Sequence, residues 1–140
     1  MADHLSPAAR SENMRKIRGK DTLPERTVRS LLHRMGYRFR LHREDLPGTP
    51  DMVLPKYRAV VFIHGCYWHR HEACRRGQST PSDNRVFWTD KFQKNVDRDR
   101  RTEEALSTLG WRVIVVWECE IRRTGLDALA ARLRRELDGK

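Results

Sequence analysis

The sequence predicts an α/β fold in which a mixed central β-sheet is flanked by helices. Two apolar runs typical of buried strands, AVVFIH at 59–64 and WRVIVVWEC at 111–119, are separated by a long polar segment of helical character. Helix start and stop signals surround them, and the resulting order ααβββαβα places helices against the faces of a sheet. With 140 residues the chain can bury one core. We expect a basic N-terminal arm at 1–20 and a single domain at 21–140.

Two helices are predicted before the first strand. A short one at 11–17 in the arm has Ser11 as a plausible cap. The next begins at Thr22, because Glu25 three residues later completes a capping-box pattern, and it ends at Gly36.

Three strands are then expected close together. YRFRLH at 37–42 alternates apolar and polar residues, which is typical of a half-buried strand. LPGTP is a turn, and DMVL after it is a short strand that ends near Pro55. The buried strand at 59–64 follows.

The second half of the chain alternates helix, strand and helix. A helix from about Asn84 to Leu109 is stopped by Gly110, and it is followed by the strand at 111–119. We assign Trp111 and Trp117 of this strand to core packing. The final helix, about 126–137, is amphipathic and is predicted to cover the core.

The charge balance favours a polyanionic partner. The chain has 29 basic and 19 acidic residues, a formal net charge of +10. Such an excess favours nucleic acid, since each neutralised phosphate releases counterions. A membrane surface is the competing polyanion, but no segment combines a clean apolar face with a basic one. The absence of an apolar leader or a membrane-spanning run leads us to expect a cytoplasmic protein.

A dense cluster of metal-ligand residues follows the buried strand, in HGCYWHRHEAC at 64–74. Cys66, His71 and Cys74 have the spacing C-x4-H-x2-C, and Cys119 lies at the end of the last strand. An odd number of cysteines argues against a disulfide framework. A closed set of three cysteines and one histidine is typical of a structural zinc site. The alternative is three unrelated buried thiols.

Asp51, His64 and His69 form a second candidate group. Asp51 begins a strand that plausibly pairs with the one ending at His64, and His69 lies in the loop beside it. A carboxylate can hold a hard divalent cation, and a nearby histidine can deprotonate a water. The alternative for Asp51 is a simple turn residue after PGTP.

Several motifs together carry a resemblance to a known family. PD at 50–51 followed by FIH at 62–64 is similar to the PD-(D/E)xK nucleases, but Phe62 and His64 replace the second acid and the lysine. With NMRKI, HGCYWHRH, FWTDKFQKNVDRDRR and LGWRVIVVWEC, the chain resembles the very-short-patch repair (Vsr-type) mismatch endonucleases. The resemblance extends from about Ser11 to Cys119 and implies a restriction-endonuclease-like core.

The resemblance implies two metal sites. Asp51 would bind Mg²⁺ together with the backbone carbonyl of Ile63, a position that is often threonine in relatives. The structural zinc ligands would be the four residues Cys66, His71, Cys74 and Cys119.

It also implies roles for the acid and base residues of the active site. His69 would be the general base for the attacking water, and His64 would stand near the scissile phosphate. Glu25 would orient a histidine or a metal-bound water, although its capping box alone could explain it. Asp99 resembles an acidic position that supports the site.

The aromatic residues acquire a function from the same resemblance. Tyr67, Trp68 and Trp88 would insert into the duplex beside a mismatch, where unstacking costs least. Met14 and Arg15, in the basic arm, would lie over the opposite groove; a solvated basic tail is the ordinary alternative.

The function implied is therefore a Mg²⁺-dependent, zinc-stabilised DNA endonuclease. It would nick the strand next to a T:G mismatch that arises from deaminated 5-methylcytosine, and would act beside a cytosine-5 DNA methyltransferase. A single-strand nick needs no dimer, so we expect a monomer. Two alternatives stay open: a restriction-like or defence nuclease without mismatch specificity, and a non-catalytic zinc-stabilised DNA-binding module.

Overall fold

The computed structural model describes residues 22–71, 74–78, 80 and 82–139. The predicted arm at 1–20, with its helix at 11–17, lies outside the described residues. The elements follow the predicted order from the second helix onward: α1 (Leu23–Arg34), β1 (Arg40–Leu41), β2 (Met52–Leu54), β3 (Ala59–His64), α2 (Arg85–Thr108), β4 (Arg112–Trp117) and α3 (Leu126–Asp138). A 3-10 turn at Pro55–Tyr57 joins β2 to β3, and a π-helical turn at Glu120–Thr124 follows β4.

The sheet is mixed, as predicted. Its strand order is β1-β2-β3-β4, and the pairs β1–β2 and β2–β3 are antiparallel. The pair β3–β4 is parallel, with Ala59 opposite Arg112 and His64 opposite Trp117. Both strands therefore end at the same edge, and the segments that leave them start side by side.

The strand predicted at 37–42 is shorter than expected, because β1 has only two residues. Tyr37 is buried in the core instead, where its ring meets the edge of Tyr57 at 5.4 Å. At the other end, His42 adopts a left-handed backbone with φ of 47°, which turns the chain away from the sheet.

Helices cover both faces of the sheet. Alternate residues of β3 and β4 point to opposite sides, as the strand repeat requires. One side packs against apolar residues of α1 and α3, including Leu32 and Leu133, which are fully buried. The other side packs against Leu106 of α2 and against the loop before β2. The cap of α1 is the one predicted, since Thr22 Oγ1 accepts the Glu25 N–H at 3.4 Å.

The long helix α2 is mostly polar. Of its 24 residues, Phe92 and Leu106 are the buried ones, so its remaining faces are open to solvent and to ligands. No helix in the described ranges has the length and apolar character needed to cross a membrane.

The contact between Gly48 and α2 positions the loop that leads to Asp51. Gly48 has φ of 73°, and a Cβ built on it would lie 2.4 Å from Thr102 Cγ2. Gly48→Ala is therefore expected to lower the free energy of unfolding by about 2–4 kcal/mol, from backbone strain plus the clash. Urea unfolding measures this loss.

Gly36→Ala is the matched control for that prediction. Gly36 has φ of 93° with nothing within 4 Å of its built Cβ. It should therefore show the strain alone, about 1–2 kcal/mol. Adding Thr102→Ser, which removes Cγ2, should restore part of the Gly48→Ala loss. Equal losses at both glycines would show that the predicted contact with α2 is absent.

Candidate active site

A cleft of about 950 Å³ lies at the edge of the sheet where β3 ends. The start of α1, the loop before β2 and one face of α2 form its walls. It brings together most of the predicted site residues: Glu25, Asp51, Ile63, His64, Trp68, His69 and Asp99.

Asp51 stands immediately before β2 and faces the end of β3. Its Oδ2 accepts the Ile63 N–H at 2.7 Å, a contact set by the antiparallel β2–β3 pairing. Burial raises the pKa of Asp51 to about 7; the Ile63 hydrogen bond opposes this and the nearby Glu25 carboxylate adds to it. A cation bound in the cleft, in addition to the Arg29 guanidinium, would therefore stabilise the ionised form of Asp51.

Glu25 is more than a capping residue. It is only 3% exposed, and its Oε2 lies 2.6 Å from the Arg29 guanidinium and 2.9 Å from His42 Nε2. The backbone N–H of His42 in turn donates to the Asp51 carbonyl at 3.4 Å. Ligand atoms of Glu25, His42 and Asp51 all lie within 4.8 Å of one another.

Sequence reasoning missed His42. The sequence could have indicated it, because His42 ends the predicted strand YRFRLH. If that strand pairs with the residues after Asp51, His42 lies next to Asp51.

His69, Asp99 and His64 form the second group in the cleft. His69 Nδ1 and Asp99 Oδ2 are 2.6 Å apart, and the His64 and His69 rings stack at 3.9 Å with 3° between their planes. Burial, together with the charge of His69, lowers the pKa of His64 to about 3, so His64 is neutral near pH 7. Burial raises the pKa of Asp99, but the hydrogen bond and charge of His69, together with nearby basic groups such as Arg98, outweigh it and lower the pKa below its ordinary value.

This group has the geometry of a general base with its supporting acid. An ionised Asp99 accepts the Nδ1 proton of His69, which leaves Nε2 as the basic nitrogen of the neutral ring. The structure places Asp99 in contact with His69, and its supporting role in the site stays a prediction. His64 lies against the base as a neutral ring.

The four predicted zinc ligands lie together beside the cleft. The ligand atoms of Cys66, His71, Cys74 and Cys119 are all within 4.8 Å of one another, with Cys119 Sγ 3.4 Å from His71 Nδ1. None of the three cysteines is in a disulfide. Local backbone bonds fold the loop: the His71 N–H donates to the Cys66 carbonyl at 3.0 Å, and the Cys74 N–H to the His71 carbonyl at 3.3 Å. The donor set and its spacing fit a tetrahedral zinc ion, with Zn–S bonds of about 2.3 Å.

The close packing of this loop leaves the Cys66 thiol unfavourable for ionisation. Burial and the neighbouring thiols raise the pKa of Cys66 to about 12. A bound metal cation would reverse that, since it is the thiolate that ligates. Gly77 completes the loop, because a Cβ there would lie 2.0 Å from the His71 carbonyl oxygen.

Trp117, at the end of β4, lies between the cysteine–histidine cluster and the group formed by His64, His69 and Asp99. Its ring stacks on His71 at 4.1 Å and meets His64 edge-on at 5.2 Å. The prediction of core packing is therefore corrected, because Trp117 is half-buried and packs against histidines of the site rather than within a core cluster. Trp111 packs against the second core cluster, with the Arg58 guanidinium 4.7 Å from its ring.

The three residues predicted to insert into the duplex, Tyr67, Trp68 and Trp88, lie close together and form what we call the aromatic platform. Tyr67 and Trp68 lie 5.1 Å apart, and Trp88 lies 6.3 Å from Trp68. All three contact the buried ring of Phe92 at 5.2–6.2 Å. The role of Phe92 was not predicted, although its i,i+4 spacing from Trp88 was a visible signal. Phe87, 58% exposed, extends the aromatic surface at the start of α2.

A hydrogen bond ties this platform to the cleft, since Asn95 Nδ2 donates to the Trp68 carbonyl at 3.2 Å. Met14 and Arg15, the other predicted DNA contacts, lie outside the described residues.

Comparison with known proteins identifies close relatives. A model of the family described as DNA mismatch endonuclease Vsr matches residues 2–76. The type II nicking enzyme V.XorIIP of Xanthomonas oryzae pv. oryzae is 55% identical over 138 residues, covering 99% of this chain and 98% of that protein. The DNA mismatch endonuclease Vsr of Escherichia coli is 47% identical over 122 residues, covering 87% and 77%. The type II nicking enzyme V.NmeAIP of Neisseria meningitidis is 44% identical over 126 residues, covering 90% and 89%.

The raised pKa of Asp51 predicts a stability cost that depends on pH. A carboxyl whose folded pKa is about 7 binds more protons in the folded than in the unfolded state, so stability falls as pH rises from about 4 to 7. Asp51→Asn keeps an oxygen for the Ile63 N–H and removes this cost. In magnesium-free buffer at pH 8 it should raise Tm by roughly 5 °C, and the gain should vanish near pH 4.

Asp45→Asn is the control, because Asp45 is exposed and Arg43 lowers its pKa. It should give no gain at pH 8. Equal Tm values for wild type and Asp51→Asn at pH 8 would contradict the assignment.

Proposed function

The chain belongs to the Vsr family of DNA mismatch endonucleases, and we propose that it nicks one strand of duplex DNA next to a T:G mismatch. The observation that carries this proposal is the position of an aromatic platform beside the cleft, with Trp68 lining the cleft itself. His69 is hydrogen-bonded to the acid Asp99. One turn earlier on the same helix as Asp99, Asn95 is hydrogen-bonded to Trp68 of the aromatic platform. The paired histidine and acid suit phosphodiester hydrolysis, and the platform suits a distorted base step.

His69 is proposed as the general base. Asp99 Oδ2 accepts a hydrogen bond from the Nδ1–H of His69, with 2.6 Å between the two heavy atoms, so Nε2 can take a proton from a water that attacks the phosphorus. Stacking against a neutral His64 adds no positive charge that would oppose protonation of His69. The scissile phosphate would lie beside His64, and hydrolysis would leave a 5′-phosphate and a 3′-hydroxyl.

Asp51 is proposed to hold Mg²⁺ with the backbone carbonyl of Ile63. Oxygen donors of this kind fit the ion, and the ionised form of Asp51 needs a cation in the cleft. When bound, Mg²⁺ would stabilise negative charge on the phosphoryl oxygens. Glu25, fixed by Arg29 and His42, would orient groups around that position.

Tyr67, Trp68 and Trp88 are proposed to select the mismatch. Opening a base step costs a few kcal/mol, and a mispaired step costs least. Stacking on aromatic rings returns about 1–3 kcal/mol per base. The buried Phe92 beneath the three rings keeps them rigid, so little entropy is lost when they insert.

We propose that a zinc ion is bound by the cysteine–histidine cluster, Cys66, His71, Cys74 and Cys119. The set is closed, with four protein donors, which favours a structural over a catalytic role. It would fix the loop that carries the aromatic rings and His69.

A cytosine-5 DNA methyltransferase is the proposed functional partner, because deamination of its product creates T:G pairs. The names of two relatives as type II nicking enzymes support cutting of one strand. A monomer suffices for that reaction.

A non-catalytic DNA-binding module is disfavoured by the paired His69 and Asp99, which such a protein does not need. A nuclease without mismatch preference is disfavoured by the aromatic platform.

Nicking of labelled duplexes tests the proposal, with T:G against C:G at the same position in candidate methylation contexts. With Mg²⁺, wild type is expected to nick T:G duplexes at least about a hundredfold faster, since a mismatched step saves a few kcal/mol. Asp51→Ala should abolish nicking and keep mismatch binding. Asp45→Ala, an exposed carboxylate outside the cleft, is the matched control.

Equal nicking of matched and mismatched duplexes would replace the repair function with a restriction-like one. Mismatch binding without nicking in any context would leave the binding module.

A further inference from the structure

We propose that the side chains of His42 and Glu25 join Asp51 and the Ile63 carbonyl as ligands of the divalent cation, so that the site binds Mn²⁺ in preference to Mg²⁺. The inference deepens the proposed function, and it rests on that function only in assuming a divalent cation at Asp51. It concerns a residue that sequence reasoning did not assign to the site.

The geometry suits a shared ion. His42 Nε2 and Glu25 Oε2 are 2.9 Å apart, and the ligand atoms of both lie within 4.8 Å of a carboxylate oxygen of Asp51. Neighbouring ligands of an octahedral ion with bonds of about 2.1 Å are roughly 3 Å apart. A hydrogen bond now holds the histidine and glutamate atoms at that separation, and an ion bound to both atoms would replace it.

Three separate elements bring these ligands together. Glu25 lies in the first turn of α1, Asp51 is the residue before β2, and His42 is the residue after β1. The His42 N–H bond to the Asp51 carbonyl fixes the two backbones relative to each other. The three side chains are therefore close together without any ion.

The charge of the group calls for a cation. The carboxylates of Glu25 and Asp51 are close neighbours, and one guanidinium, that of Arg29, is bonded to Glu25. A divalent cation between the two carboxylates would offset their negative charge.

The backbone of His42 indicates that its position is specified by the site. Its φ of 47° lies in the left-handed region, which is unfavourable for a side chain with a Cβ, and its side chain is only 12% exposed. This backbone turn directs the His42 side chain to the buried Glu25, where its Nε2 contacts the carboxylate.

Ligand chemistry sets the expected preference. Mg²⁺ takes oxygen donors and retains several waters, whereas Mn²⁺ accepts imidazole nitrogen as well as carboxylate oxygen. A site with one imidazole and two carboxylates therefore favours Mn²⁺ more than an all-oxygen site does.

The test uses the full-length, zinc-replete protein without DNA. Mn²⁺ binding is followed by electron paramagnetic resonance and Mg²⁺ binding by calorimetry, for wild type, His42→Ala and His42→Gln. His33→Gln, a histidine in a separate groove with Gly36 and Tyr37, is the matched control. Thermal unfolding of each variant establishes that it is folded.

We expect His42→Ala and His42→Gln to weaken Mn²⁺ binding at least about tenfold and Mg²⁺ binding less than threefold. Electron spin-echo modulation from a directly bound nitrogen should be present in wild type and His33→Gln and lost in both His42 variants.

Other outcomes overturn the proposal in distinguishable ways. Nitrogen modulation that persists in both His42 variants places another imidazole on the ion. Equal loss of both metals gives His42 a positioning role through Glu25. Absence of any Mn²⁺ or Mg²⁺ binding by wild type, unchanged by Asp51→Ala, refutes the cation at Asp51 in the proposed function as well. Because no DNA is present, none of these results depends on mismatch selectivity.

Discussion

The parallel pairing of β3 with β4 is the constraint on which the rest of the structure depends. It places the ends of both strands at one edge, with His64 directly opposite Trp117. The loop that leaves β3 carries His69 and three of the four clustered ligands, and Cys119 follows β4 two residues later. A different register between β3 and β4 would separate Cys119 from His71. It would also move Trp117 away from its contacts with His64 and His71.

The cleft combines groups whose charges are costly unless a ligand is present. Burial beside Glu25 raises the pKa of Asp51, and burial holds His64 uncharged. Arg29 and His42 are hydrogen-bonded to Glu25, and His69 is hydrogen-bonded to Asp99, which lowers the pKa of Asp99. The cleft is therefore preorganised for a cation and for proton transfer at the expense of the stability of the free protein. The aromatic platform carries no buried charge, and its three rings pack on the buried side chain of Phe92.

Much of the fold could be predicted because its signals are local. The apolar runs of β3 and β4, the Thr22 cap and the stop at Gly110 are each visible within a few residues. The candidate site was predicted largely through motif resemblance, and the structure brings those residues together. What local patterns could not provide were contacts between distant segments. The bond of Glu25 to His42 and the stacking of Trp117 on His71 depend on sheet register, and the early end of β1 depends on a left-handed residue that no local pattern marks.

The most direct test of this account is zinc analysis of wild type and Cys119→Ser, combined with limited proteolysis and nicking. If the cluster joins the loop after β3 to the end of β4, wild type should contain about one zinc ion per chain. Cys119→Ser should lose it, become sensitive to protease between Cys66 and Gln78, and lose nicking while far-ultraviolet circular dichroism stays unchanged. Wild type without zinc, or Cys119→Ser with full zinc and full nicking, would contradict the account.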